Sequence, residues 1–105
     1  MDQVIDFKRG TTFEKEGQLV SRFNNVDTPV NISNYVITSE IYNGNTLVES
    51  IVATTLDAAN GRYKFLKSDV DTSDWPVNLL RWNIKFNNLG TITESYPIYI
   101  NVIGN

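Results

Sequence analysis

Few side chains here could do chemistry, because histidine and cysteine are both absent from the 105 residues. That removes the usual general base, the thiolate nucleophile and the cysteine-held metal, and leaves carboxylates, lysines, hydroxyls and tyrosines. The most suggestive spacing is Asp69, Asp71 and Ser73, which sets oxygen ligands at alternate positions as the opening of an EF-hand calcium loop does. The pattern then fails. Asp74 stands where the loop needs a glycine turn, and Leu80 where it needs a bidentate glutamate. What is left is a capped turn with solvated acids. Glu14 and Glu16 share one strand face, but a glycosidase needs two carboxylates opposed across a cleft, so this pair reads as solvation. No catalytic residue, metal or cofactor is predicted, and function must be sought in a surface.

Which aromatic residues reach that surface depends on the strands that carry them. Period-two alternation dominates the chain. Leu80, Trp82, Ile84 and Phe86 fall on one face of a strand, and Arg81, Asn83, Lys85 and Asn87 on the other. This is a half-buried antiparallel strand, so Trp82 belongs to the core rather than to a sugar-stacking platform. The next run sets Ile92, Tyr96, Ile98, Ile100 and Val102 against Thr91, Thr93, Ser95, Tyr99 and Asn101. Asn87-Asn88-Leu89-Gly90 joins the two runs as a C-terminal hairpin.

Upstream, a strand over 4–8 places Ile5 and Phe7 together. One over 12–23 places Phe13, Leu19 and Phe23 on one side, with Gly17 at a bulge or bend. Strands over 35–42, 47–56 and 62–67 follow, with Ile37 and Ile41 inward in the first and Tyr63 and Phe65 sharing a face of the last. Asn43-Gly44-Asn45 and Asp57-Ala58-Ala59-Asn60-Gly61 are turns, and Ser68 to Val77 is a crossover holding one capped helical turn. About seven strands at spacings of roughly 10 to 15 residues predict an all-β fold, an immunoglobulin-like antiparallel β-sandwich.

In that frame Tyr42 and Tyr99 lie opposite their strands' apolar stripes and are predicted as partner-binding anchors. Trp75, in a loop before Pro76, has two open readings: a plug for the end of the sandwich, or a third anchor at an interface. Edge strands rich in Thr, Asn and Ser offer free backbone groups that can accept a strand from another chain. The sequon Asn31-Ile32-Ser33 reads as chance, since no secretory leader precedes it.

Composition sets the outer bounds. With 41% apolar and 11% aromatic residues the chain is globular, and its length suits one domain, 1–105, read as an entire gene product. Net charge is −3 and the basic residues are scattered, Lys8-Arg9 being the nearest to a cluster, so no nucleic-acid surface is predicted. No run approaches the roughly 20 apolar residues of a membrane span, and the N-terminus reads as cytoplasmic.

One block of motifs is more specific. Arg9-Gly10-Thr11-Thr12-Phe13, a strand, Thr28-Pro29-Val30, then Asn31-Ile32-Ser33-Asn34-Tyr35 and a further strand resembles the small immunoglobulin-like domains of tailed-phage virions, above all the N-terminal module of phage baseplate upper proteins. The likeness continues through Asn60-Gly61, Ser68 to Asp74, Trp82 and the closing strand. Two departures stand out: the crossover lacks an Ala/Gly-rich helix turn, and the larger relatives continue into a coiled coil or receptor-binding portion where this chain stops at Asn105. The resemblance implies a non-enzymatic virion protein, assembled in the host cytoplasm and oligomeric in the particle. Its partners would be other virion structural proteins of tail, neck or baseplate, or it would decorate the capsid. The alternative is a carbohydrate-binding or adhesive module that meets the host surface through Trp75.

Overall fold

Alternation in the sequence becomes two facing sheets and a free two-stranded arm. The structure, a computed structural model, describes residues 3–95 and 97–104. In chain order the elements are β1 (Gln3–Lys8), β2 (Phe13–Gln18), β3 (Val20–Phe23), β4 (Val26–Pro29), β5 (Tyr35–Asn43), β6 (Thr46–Val52), β7 (Thr54–Asp57), β8 (Arg62–Lys67), α1 (Asp69–Thr72), β9 (Leu79–Asn88), β10 (Thr91–Glu94) and β11 (Ile98–Ile103). The large sheet runs β1-β11-β9-β5-β6, with β10 also paired to β9; the small one runs β2-β8-β7. Every described pair is antiparallel except β1 with β11, which is parallel and departs from the wholly antiparallel expectation. Antiparallel neighbours need only a tight turn, whereas these two strands are separated by nearly the whole chain and so are free of that constraint.

The core lies between the sheets. Leu80, Trp82, Ile84 and Phe86 of β9 are buried as expected, with Ile37 and Ile41 of β5, Ile100 and Val102 of β11 and Phe7 of β1 beside them. The small sheet contributes Phe13, Tyr63 and Phe65. Phe13 and Phe65 each meet Trp82 edge-on at 5.2 Å between ring centres, and such pairs add about 0.5–1.5 kcal/mol beyond the area they bury.

The sandwich is built of more and shorter strands than the sequence suggested, for identifiable reasons. The predicted strand over 12–23 breaks at Leu19, whose N–H donates to the Gly61 carbonyl at 2.8 Å. The chain then leaves the sheet as the β3–β4 hairpin, turning at Asn24 and Asn25, both at positive φ (51° and 64°). Asparagine tolerates that region, so the chain reverses just beyond the predicted strand, and Thr28-Pro29 ends the returning strand. Phe23 is therefore 77% exposed at the arm's tip, not inward with Phe13. The predicted strand over 47–56 divides at Ala53, whose N–H donates to the Ile37 carbonyl at 2.9 Å before the chain passes from the large sheet to the small one.

Ile92 is also corrected. It stands opposite Asn87 on the polar face of β9 and is 60% exposed, whereas Ile98 and Ile100 stand opposite Trp82 and Leu80. The register of β10 and that of β11 on β9 differ by one residue, and one residue turns every side chain to the opposite face. Tyr96, predicted inward, lies outside the described residues.

The helical turn of the crossover is tied down at both ends. Ser68 caps α1, its hydroxyl accepting from the Asp71 N–H, and the buried Thr72 hydroxyl donates to the Thr11 carbonyl at 2.7 Å.

A candidate docking face

The outer face of the large sheet carries the most organised surface feature of the described residues. Strand register sets Leu47, Tyr42, Arg81, Tyr99 and Val4 in one row across β6, β5, β9, β11 and β1. Each sits on the face of its strand opposite the core stripe, and adjacent members are direct cross-strand partners, the unit through which side chains on a sheet face interact. At the centre the Arg81 guanidinium carbon lies 5.3 Å from the Tyr42 ring centroid, a cation over a π face. Leu79, one position further along the outer face of β9, and the two row ends Val4 and Leu47 are each exposed by half or more.

Charge on this face is unevenly satisfied. Lys85 sits between two acids, 3.6 Å from Glu40 and 3.9 Å from Glu94, and the Asn101 amide donates to Asp6 at 3.1 Å. Arg81 has no ionic partner among the described residues, and its buried Nε has no hydrogen-bond partner. A guanidinium presents a planar fork suited to a carboxylate, and tyrosines beside it exclude water at low conformational cost. Exposed apolar residues around an Arg–Tyr centre are the composition of an interface hot spot. What this arrangement can do is take an acidic or aromatic group from another protein.

Tyr42 and Tyr99 are thus brought together, flanking one arginine, each partly exposed. Arg81 was missed because alternation alone marks it as solvent-facing without showing what stands beside it. Val4 and Leu47 were missed because a lone aliphatic residue on a polar face gives no periodic signal.

Trp75 requires a correction. It is 1% exposed, with ring centres 5.3 Å from Phe7 and Phe13, and its indole N–H donates to Glu49 at 3.4 Å. Glu49 also meets Lys67 at 3.5 Å. A large apolar ring gains more by joining the core than by standing in water, and Trp75 is buried rather than exposed as an anchor would be. Trp82, 2% exposed, is buried as well, which leaves neither tryptophan as a stacking platform for a sugar.

The remaining motifs assemble no chemistry. Glu14 and Glu16 project from the exposed face of β2, opposite Leu66 and Lys64. Asp69 and Asp71 occupy the first turn of α1, where backbone N–H groups favour negative charge, and the Ser73 hydroxyl is engaged with the Val70 carbonyl at 2.6 Å. Asn31 closes an Asx turn, accepting from the Ser33 N–H and hydroxyl at 2.9 and 2.7 Å. Among the described residues no three metal-binding side chains converge, and no helix is long and apolar enough to cross a membrane.

Fold and face together define a small all-β sandwich whose distinctive surface is a sheet face rather than a cleft with reactive groups. Among solved structures the chain is similar to the N-terminal domain of phage TP901-1 ORF48, with a TM-score of 0.63, covering 97% of this chain and 88% of that one at 15% identity. The phage-module fold expected from the motifs is therefore found. No family model matches the sequence, and no curated protein matches it.

Proposed function

We propose that this chain is a non-enzymatic structural component of a tailed-phage virion, a single module over residues 1–105 that docks to other virion proteins through the outer face of its large sheet. The observation that carries the reading is the likeness, over 97% of the chain, to the N-terminal domain of a phage protein. The motifs from Arg9 to Tyr35 lead independently to the same kind of module. An adaptor of tail, neck or baseplate fits better than a capsid decoration, because the motifs from Arg9 to Tyr35 resemble those of baseplate upper proteins. Tyr42, Arg81 and Tyr99 are the residues on which a partner would close, and an acidic segment is the chemistry that satisfies Arg81. The absence of histidine and cysteine supports a role without catalysis. The adhesive alternative has lost the exposed indole on which it rested.

The test is quantitative mass spectrometry of purified virions. Between about three and a few dozen copies is expected, following the low-order symmetry of necks, baseplates and fibres. Hundreds of copies would make the chain a decoration of capsid or tube, and its absence from the particle would overturn the structural reading.

A further inference from the structure

We infer that the β3–β4 arm of one copy inserts its Phe23 tip into the cleft between β1 and β2 of a second copy. The inference rests on the reading that the chain works as an assembled module and names a surface for self-association separate from the Tyr42–Arg81–Tyr99 face.

The arm is prebuilt but uncovered. All eight of its strand residues are exposed, and among the described residues it pairs with no other strand. An isolated two-stranded hairpin is marginal in water, yet this one is held at its base by the Val30 N–H donating to the Leu19 carbonyl at 3.0 Å and across its middle by Arg22 on Asp27 at 2.8 Å. Phe23 and Val26 are cross-strand partners on one face, 77% and 62% exposed. Holding two large apolar groups together in water has a cost that burial against another surface removes.

The receiving surface is on the same chain. β1 and β2 are edge strands of the two sheets, and between them opens a cleft of about 290 Å³ reaching Ile5, Phe65, Ile84 and Ile98. An apolar cavity of about 150 Å³ accepts a benzene ring, so by volume the cleft has room for the Phe23 phenyl, with the polar Gln3 and Gln18 sharing its lining. Lys15 and Glu16 lie at the rim, neither in an ion pair among the described residues. They match in sign the Asp27 and Arg22 of an incoming arm, which would extend their mutual ion pair into a four-charge network. The free edges of β1 and β2 also offer backbone groups to the free edges of β3 and β4, as in strand addition.

Because the chain has no cysteine, directed cross-linking reads this contact cleanly. Full-length Asn25→Cys and Glu16→Cys chains are mixed under mild oxidation, and the wild type and Phe23→Glu are compared by sedimentation. The expected result is a mixed disulfide dimer exceeding either homodimer at least tenfold, with self-association lost in Phe23→Glu while its circular dichroism is unchanged. Self-association that survives Phe23→Glu, or a wild type that stays monomeric into the millimolar range, overturns the arm contact. Neither result bears on virion incorporation, which the copy-number measurement reads separately. Should Phe23→Glu perturb the fold, Phe23→Ser with the same disulfide pair gives the same discrimination.

Discussion

The Arg81 guanidinium lies 5.3 Å from the Tyr42 ring centre, and the strand register places Tyr99 on the opposite flank of the same arginine. A cation in this position is a poor stabiliser and a good recognition element. Cation–π contact at a partly exposed site contributes only about 0.5–1 kcal/mol, while a buried Nε without a partner costs part of that back.

Arg81→Ala should therefore lower stability by less than about 1 kcal/mol in urea unfolding. Arg81→Glu, equally folded, should abolish incorporation into particles. A loss above about 3 kcal/mol for Arg81→Ala would show that the row is part of the stabilising framework and would remove its claim as a docking face.

Trp75 and Trp82 should behave alike although only one of them lies in a strand. Both are almost fully buried in the same aromatic cluster, so substitution of either by alanine should cost on the order of 3 to 5 kcal/mol in chemical denaturation. An effect below about 1 kcal/mol at Trp75 would return it to the surface and restore the sugar-stacking alternative.

The sequence discloses the inside of this molecule better than its outside. Leu80 to Phe86 announce the central strand because four apolar side chains recur with period two, and burial follows that period directly. Ile92 was misplaced because one residue of slack between β10 and β11 leaves no trace in the sequence while reversing the face. The arm was missed because Asn24-Asn25 is a less marked turn pair than Asn-Gly. Tyr42 and Tyr99 were legible singly, as aromatic residues out of phase with their core. Their meeting across Arg81 was not, since it depends on strand order, and β1, β11, β9 and β5 are neighbours only in space.

Gly17 should not tolerate a side chain. It stands opposite Tyr63, and a Cβ built on it comes within 2.6 Å of the tyrosine ring, so the ring rather than the backbone angle is the obstacle. Gly17→Ala should destabilise by about 1–3 kcal/mol, the range for overpacking, and Gly17→Ala with Tyr63→Ala should show coupling in a double-mutant cycle. Additive losses would mean that the ring is not what the methyl group meets.

Burial pushes the Tyr63 phenol above its ordinary value. Below about pH 10, where an unfolded tyrosine is still protonated, folding is unaffected. As pH rises further the unfolded state releases its proton first, so stability falls until the higher folded value is passed. Tyr63→Phe should flatten that part of the alkaline limb relative to the wild type in urea midpoints measured from pH 8 to about 11. Parallel limbs would place the phenol in water.

The turn between β9 and β10 contains a local conflict that can be relieved. Leu89 has φ of 50° and Gly90 of 98°, the paired positive angles of a two-residue hairpin turn, and Leu89 is 83% exposed. Leucine in the left-handed region costs roughly 1–2 kcal/mol relative to residues that visit it readily, and nothing covers its side chain in return. Leu89→Asn supplies the Asn-Gly pair that such turns prefer, so the variant should be more stable by about 1 kcal/mol in urea unfolding. In a virion the same substitution separates two roles: unchanged incorporation means the leucine only closes a turn, whereas impaired incorporation of a more stable protein makes Leu89 an apolar contact held out for a partner despite the strain.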